Sequence, residues 1–223
     1  MELPDKPARF SFMSLPLLFL YVFAWFLPKM EVAKPVAALV TEVAEESLYE
    51  AADLAKEELG FKAWDQSLKR VERSNEKAHV LAIADMSQPS TAKRLYVIDL
   101  ERKVLLLRTY VAHGQNTGEL MAERFSNTHG SHQTSLGLYR VGAEIVSPKH
   151  GPALLLHGLD KGVNDQALAR EVIIHGADYV SESFIDKHGR LGRSWGCPAV
   201  TRESMKSMID LLANGGLLYI YRS

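Results

Sequence analysis

The apolar pattern along the chain changes character twice. "FSFMSLPLLFLYVFAWFL", Phe10 to Leu27, runs 18 residues without a charge. As a helix it would span about 27 Å, close to the hydrocarbon thickness of a bilayer. Lys6 and Arg9 precede it, so this end is expected to stay inside and the remainder to be exported. The run is longer than the usual core of a signal peptide, and the nearest small-residue cleavage pattern, Val36 to Ala38, lies well beyond it. Residues 1–30 are therefore expected to be an export segment, either a signal peptide or an uncleaved inner-membrane anchor. After Pro35, apolar residues recur at Val36, Leu39, Val40, Val43, Ala44, Leu48, Ala51, Ala52, Leu54, Ala55 and Leu59. Spacings of three and four predict an amphipathic helix that stops at Gly60. A second helix is expected over about Phe61–Arg73, giving a helical lead-in across residues 31–73.

From His79 the period shortens. "HVLAIADMS" reads as a strand before the turn "SQPS", and Arg94–Asp99 with Val104–Val111 as a hairpin. "TSLGLYRV", "ALLLHGL", "EVIIHG" and the closing "LLYIYR" predict further strands. "NDQALAREV" suggests a short helix capped by Asn164, and "RESMKSMIDLLANGG" a helix stopped at Gly215. Many short strands with few short helices predict a mainly β sandwich or barrel-like domain over residues 74–223.

Composition narrows the chemistry. The chain has 223 residues, 47% apolar and 24% charged, enough for one sizeable core. A net charge of −1, from 26 basic and 27 acidic residues, argues against a nucleic-acid partner. A single cysteine excludes an internal disulfide framework and a multi-thiolate zinc site.

That cysteine, Cys197, sits in "GRSWGCPAV", between Gly196 and Pro198. A lone cysteine is commonly a small buried hydrophobe. A nucleophilic one needs a base or an electropositive setting. His175 ends the apolar strand "EVIIHG", 22 positions earlier, and could supply the base. Gly196 permits an unusual backbone angle, which can aim successive N–H groups at one point. Pro198 fixes its own φ and stiffens the turn. On these residues alone, catalysis and core packing both stay open.

"IIHGADYVS…GRLGRSWGCPAV" resembles the active-site motif of the murein L,D-transpeptidases, the YkuD-like family. "VAHGQNTG", "FSNTHGSHQTSLGLY" and "GLDKGVNDQALAR" resemble one branch of it, so the likeness runs from about Leu81 to Tyr221. Two positions depart from the commoner motif: Trp195 stands where His is usual, and Ala199 where Arg is usual. Arg193 either replaces that Arg or pairs on the loop surface.

The resemblance implies a YkuD-like β-sandwich catalytic domain and acyl transfer in peptidoglycan. Cys197 would attack a tetrapeptide stem at the bond between diaminopimelate and the terminal D-alanine, with His175 as base. The Gly176 carbonyl would orient the His175 ring, and backbone N–H groups near Trp195, Gly196 and Cys197, in the loop that Ser194 opens, would form the oxyanion site. Arg193, His157 and Tyr179 are the expected substrate-lining residues. An acceptor amine would complete a 3→3 crosslink; water would make the enzyme an L,D-carboxypeptidase. No cofactor or metal is implied. Peptidoglycan stem peptides and carbapenem-type inhibitors are the expected ligands, in the periplasm or at the inner membrane.

Three other readings compete. Eight histidines, among them His129, His132, His150 and His157, allow a zinc peptidoglycan hydrolase, though no HExxH is present. A non-catalytic wall-binding module would not need both His175 and Cys197. Papain-like and NlpC/P60-type enzymes place Cys before His, and the sortase motif is missing.

Overall fold

The computed structural model describes residues 46–223, so the expected export segment lies outside the described residues. Among the described residues, no helix is long and apolar enough to cross a membrane.

Helix stops sooner than the apolar spacing suggests. Residues 46–51 are helical and 52–58 form irregular turns. Asp53 and Glu58 adopt left-handed backbone angles (φ 51° and 64°), which a continuing helix does not allow. Helix α1, Phe61–Ser74, then forms as expected and ends at Asn75, which takes the left-handed cap conformation. Its buried residues, Ala63, Trp64 and Ser67, lie three and four apart on one face.

The mainly β class holds. Nine strands follow: β1 (Val80–Asp85), β2 (Leu95–Asp99), β3 (Val104–Thr109), β4 (Val111–Ala112), β5 (Gly137–Ser147), β6 (Gly151–Gly158), β7 (Ile173–Gly176), β8 (Ala199–Val200) and β9 (Leu217–Tyr221). Helix α2 is Glu182–His188 and α3 is Arg202–Leu212. The strands make one hydrogen-bonded sheet in the order β3-β2-β1-β9-β5-β6-β7-β8-β4. The closing strand β9 lies inside the sheet, parallel to β1 and antiparallel to β5. β3 and β4 stand at opposite ends of that order, yet only Tyr110 separates them in sequence. The sheet must therefore curl until its two edges nearly meet.

Period-two alternation sorts the core onto two faces. Leu81, Ile83, Tyr96, Ile98, Leu217 and Tyr221 point to one face and pack with Trp64, Ala63, Leu54 and Leu59. Ala82, Ala84, Leu95, Val97, Leu218 and Ile220 point to the other, where Met205, Met208 and Leu212 of α3 join Leu154, Leu156 and Ile174. Helix α1 is thus part of the core. Arg70 reinforces this through the Asp160 carboxylate and the Leu159 carbonyl.

The segment around Asn164 is a set of turns, not the expected capped helix. Asn164 is fully buried. Its Oδ1 accepts from the Asp160 N–H (2.8 Å), and its Nδ2 donates to Leu136 and Leu138 carbonyls (3.0 Å each). The amide that looked like a helix cap instead ties these turns to the start of β5. Helix α3 ends at Leu212, ahead of Gly215, with the left-handed turn at Asn214.

Trp64 is the largest side chain joining α1 to the sheet, and it has no exposed surface. Trp64→Ala is expected to cost about 3–5 kcal/mol of unfolding free energy. Urea unfolding of the two proteins measures it. A cost under about 1 kcal/mol would mean that α1 is not part of the cooperative core.

Candidate active site

The site forms where β7, β8 and the loop before β8 converge. β7 and β8 pair in parallel, with His175 opposite Ala199 and Gly176 opposite Val200. Ala199 follows Cys197 by two residues, so this register fixes the loop end of Cys197 beside His175. The preceding loop is pinned from below. The Ser194 N–H donates to the His113 carbonyl (3.0 Å), and the Gln115 N–H to the Ser194 carbonyl (2.8 Å). The Ser194 hydroxyl donates to the Cys197 carbonyl (2.5 Å) and accepts from the Gly196 N–H (3.1 Å). Ser194 therefore closes a tight turn around Trp195 and Gly196. Gly196 has φ 122°, and a Cβ there would lie 2.8 Å from the Gln133 carbonyl oxygen. Only glycine fits that angle and space.

His175 is buried, and its Nδ1 lies 3.2 Å from the Gly176 carbonyl oxygen. A carbonyl only accepts, so Nδ1 carries the proton and Nε2 presents a lone pair. Burial, with the positive fields of His150, Lys149 and Arg202, pushes the His175 pKa down to about 4, while the Gly176 carbonyl opposes the shift. Cys197 is half-buried. Burial raises its thiol pKa, against the opposing pull of the Ile173 N–H, Arg170, its own N–H and Lys149. At neutral pH both groups are uncharged. Sγ makes a long hydrogen bond to the Glu171 carbonyl (3.9 Å), and none to His175.

Lys149 and Arg170, which sequence reasoning missed, frame this pair together with Trp195 and with His132 and His150, which the sequence offered only as possible zinc ligands. The His150 ring stacks on His175, centroids 3.7 Å apart. Its neighbour Lys149 places Nζ 4.3 Å from the centroid of Trp195. Trp195 is 65% exposed and also stacks on His132 (5.1 Å). Arg170 runs beside Gly196: its Nη2 would lie 3.3 Å from a Cβ there. Its Nη1 and Nη2 donate to four acceptors, the Ser126 and Gln133 carbonyls and the Ser135 and Ser131 hydroxyls. Lys149 and His150 sit in the β5–β6 turn, far in sequence from Cys197, and no motif marked them.

The expected substrate-lining residues fare unevenly. Arg193 is turned to the surface, bonded to Glu119 and to the Gln115 and Gly118 carbonyls. In this structure it pairs with Glu119 on the loop. His157 lies four residues along β6 from Ala153, the partner of His175, about 13 Å of strand away. Its ring packs toward Gly142 at the β5 bulge, so the structure does not bring it to the thiol. Tyr179 packs against Gly192, and its phenol pKa is raised by burial and then by the nearby Cys197. Gly176 lets α3 approach closely: a Cβ there would lie 3.2 Å from the Arg202 Cα. Among the described residues, no group of three or more His, Cys, Asp or Glu is placed to hold a metal ion.

Below the loop lies a buried pair. The Arg94 Nη2 donates to His113 Nδ1 (2.8 Å), so His113 carries its proton on Nε2, 3.2 Å from the Gly118 carbonyl. Burial first, then Arg94, lowers the His113 pKa to about 4.

A model of the L,D-transpeptidase catalytic domain matches residues 55–221. The chain therefore belongs to the L,D-transpeptidase catalytic-domain family. Similar solved structures include an L,D-transpeptidase from Mycobacterium smegmatis, at 14% identity over 65% of this chain and 59% of that one, with a TM-score of 0.40. Another is from Xylanimonas cellulosilytica (13%, 66% and 62%, TM-score 0.40). A third is L,D-transpeptidase 3 from Mycobacterium tuberculosis in complex with a faropenem-derived adduct (16%, 64% and 60%, TM-score 0.37). The chain spans about three fifths of the length of these structures. No curated protein matches the chain.

The two buried histidines make stability depend on acid. Their folded pKa values, about 4, lie below the ordinary value of about 6.5, so the unfolded chain binds protons first as pH falls. Their stabilisation is present above pH 6.5 and is lost between about 6.5 and 4. Urea unfolding at pH 5 is expected to give roughly 3–4 kcal/mol less stability than at pH 7. An unchanged value would place both rings in water.

Proposed function

We propose that this domain is a peptidoglycan L,D-transpeptidase that works through a thioester on Cys197. The observation that carries the reading is the state of His175. It is a buried, neutral imidazole whose Nδ1 is held by the Gly176 carbonyl, on the strand paired with the segment that follows Cys197. Such a ring keeps a free lone pair on Nε2 that can take a proton, as a general base requires.

For attack, Cys197 must turn its thiol from the Glu171 carbonyl toward Nε2. As Sγ attacks the carbonyl between diaminopimelate and the terminal D-alanine, Nε2 takes the thiol proton. The carbonyl oxygen becomes an oxyanion. The Gly196 N–H is already committed to Ser194, so the Trp195 and Cys197 N–H groups are the donors left for it. Collapse breaks the C–N bond, and the imidazolium returns its proton to the departing D-alanine amine. The amine of a second stem then attacks the thioester carbonyl, gives its proton to His175, and releases the thiolate, which is reprotonated. One peptide bond is exchanged for another, giving a 3→3 crosslink, and neither cofactor nor metal takes part. Carbapenems would trap Cys197 as an acyl-enzyme. A peptidoglycan substrate would be met in the cell envelope, and the apolar run Phe10–Leu27 supports that reading.

The test is intact-mass analysis with a tetrapeptide muropeptide and with a carbapenem. Wild type should gain an adduct that maps to Cys197. Cys197→Ala should gain none while melting normally, and His175→Ala should acylate about 10²–10⁴-fold more slowly. An adduct on Cys197→Ala, or undiminished acylation by His175→Ala, would overturn the assignment.

A further inference from the structure

The commoner motif carries an Arg two residues after the Cys, and Ala199 stands there in this chain. A tetrapeptide stem ends in a carboxylate, so some other cation must meet it. Four cations stand around the site, and three are committed. Arg193 is held by Glu119. Arg202 is held by both oxygens of Asp178. Arg170 donates to four neutral oxygens that fix the loop before β5.

Lys149 is different. Among the described residues it has no carboxylate partner and no hydrogen bond. Its Nζ is held 4.3 Å from the Trp195 ring centroid, two residues before Cys197. Its neighbour His150 stacks on His175, so the backbone that carries Lys149 is seated against the expected base. The positive field of Lys149 acts on both Cys197 and His175. Lys149 is exposed, and its ammonium over the indole face retains unused donors.

We propose that Lys149, held over Trp195, binds the C-terminal carboxylate of the donor stem and selects stems by it. This rests on the L,D-transpeptidase reading. The leaving residue's carboxylate lies one residue, about 3.8 Å of chain, beyond the carbonyl under attack. The free carboxylate on the diaminopimelate side chain lies at the far end of that chain, and the one on the preceding glutamate lies on the opposite side of the bond under attack. Trp195 and Lys149 together would then replace the usual His and Arg of the motif: one supplies the platform, the other the charge.

Three full-length proteins and three substrates test this. The proteins are wild type, Lys149→Met and Lys149→Arg. The substrates are a tetrapeptide-stem muropeptide, the same stem with its C-terminus amidated, and the same stem with the diaminopimelate carboxylate amidated. Release of the terminal residue gives kcat/KM. Wild type should prefer the free acid over the C-terminal amide by about 10- to 100-fold, the range for a charge-assisted hydrogen bond. Lys149→Met should bring that ratio near one, and Lys149→Arg should restore most of it. Amidation at diaminopimelate should leave the effect of Lys149→Met unchanged. Equal losses by Lys149→Met on acid and C-terminal amide would make Lys149 a structural strap and overturn the proposal. So would a discrimination that follows the diaminopimelate carboxylate. Wild type that turns over none of the stems would instead sink the transpeptidase reading itself.

Discussion

The parallel pairing of β7 with β8 is the contact on which the site depends. It has two rungs, His175 with Ala199 and Gly176 with Val200. Those rungs carry little energy of their own, yet they join the strand that ends in His175 to the loop that presents Cys197. β8 also pairs with β4, and β4 follows β3 after one residue, so the same short strand helps bring the edges of the sheet together. Closure of the sheet and assembly of the site are thus one event. Beneath it, the Arg94–His113 pair and the His113 carbonyl support Ser194, and Ser194 folds the loop around Gly196.

Burial sets the chemistry of the pair. It raises the thiol and lowers the imidazole, so the resting site holds two neutral groups and not an ion pair. Charge then develops only as the thiol attacks, where nearby N–H groups and cations can meet it. Arg170 and Lys149 act on the thiol in that sense, while Lys149, His150 and Arg202 keep the imidazole from charging early. The basic character around the site therefore opposes protonation of the base and favours an arriving carboxylate.

Much of this was legible in the chain, for local reasons. The strands around Val80–Asp85 and Leu217–Tyr221 showed in their apolar runs. The motif around Cys197 showed because Ser194, Gly196 and Cys197 are bound to one another by local hydrogen bonds. What depends on distant partners did not show. Asn164 looks like a helix cap, but its amide serves the Leu136 and Leu138 carbonyls at the start of β5, more than twenty residues away. The alanine-rich stretch before Gly60 has helical spacing, yet Leu54 and Leu59 are drawn into the core of the sheet and the backbone turns at Asp53 and Glu58. His150 and Lys149 carry no local signature, since their roles exist only once the β5–β6 turn lies against His175 and Trp195. Arg193 shows the reverse: adjacency in sequence suggested a role at the thiol, and Glu119 holds it at the surface.

The central claim is that His175 waits as a neutral base with its proton on Nδ1. The ¹⁵N resonances of its ring, followed from pH 8 to pH 4 in the free enzyme, test this most directly. The account predicts a protonated Nδ1 and a bare Nε2 at pH 7, with the ring charging only near pH 4. A ring already doubly protonated at pH 7, paired with a thiolate on Cys197, would contradict it.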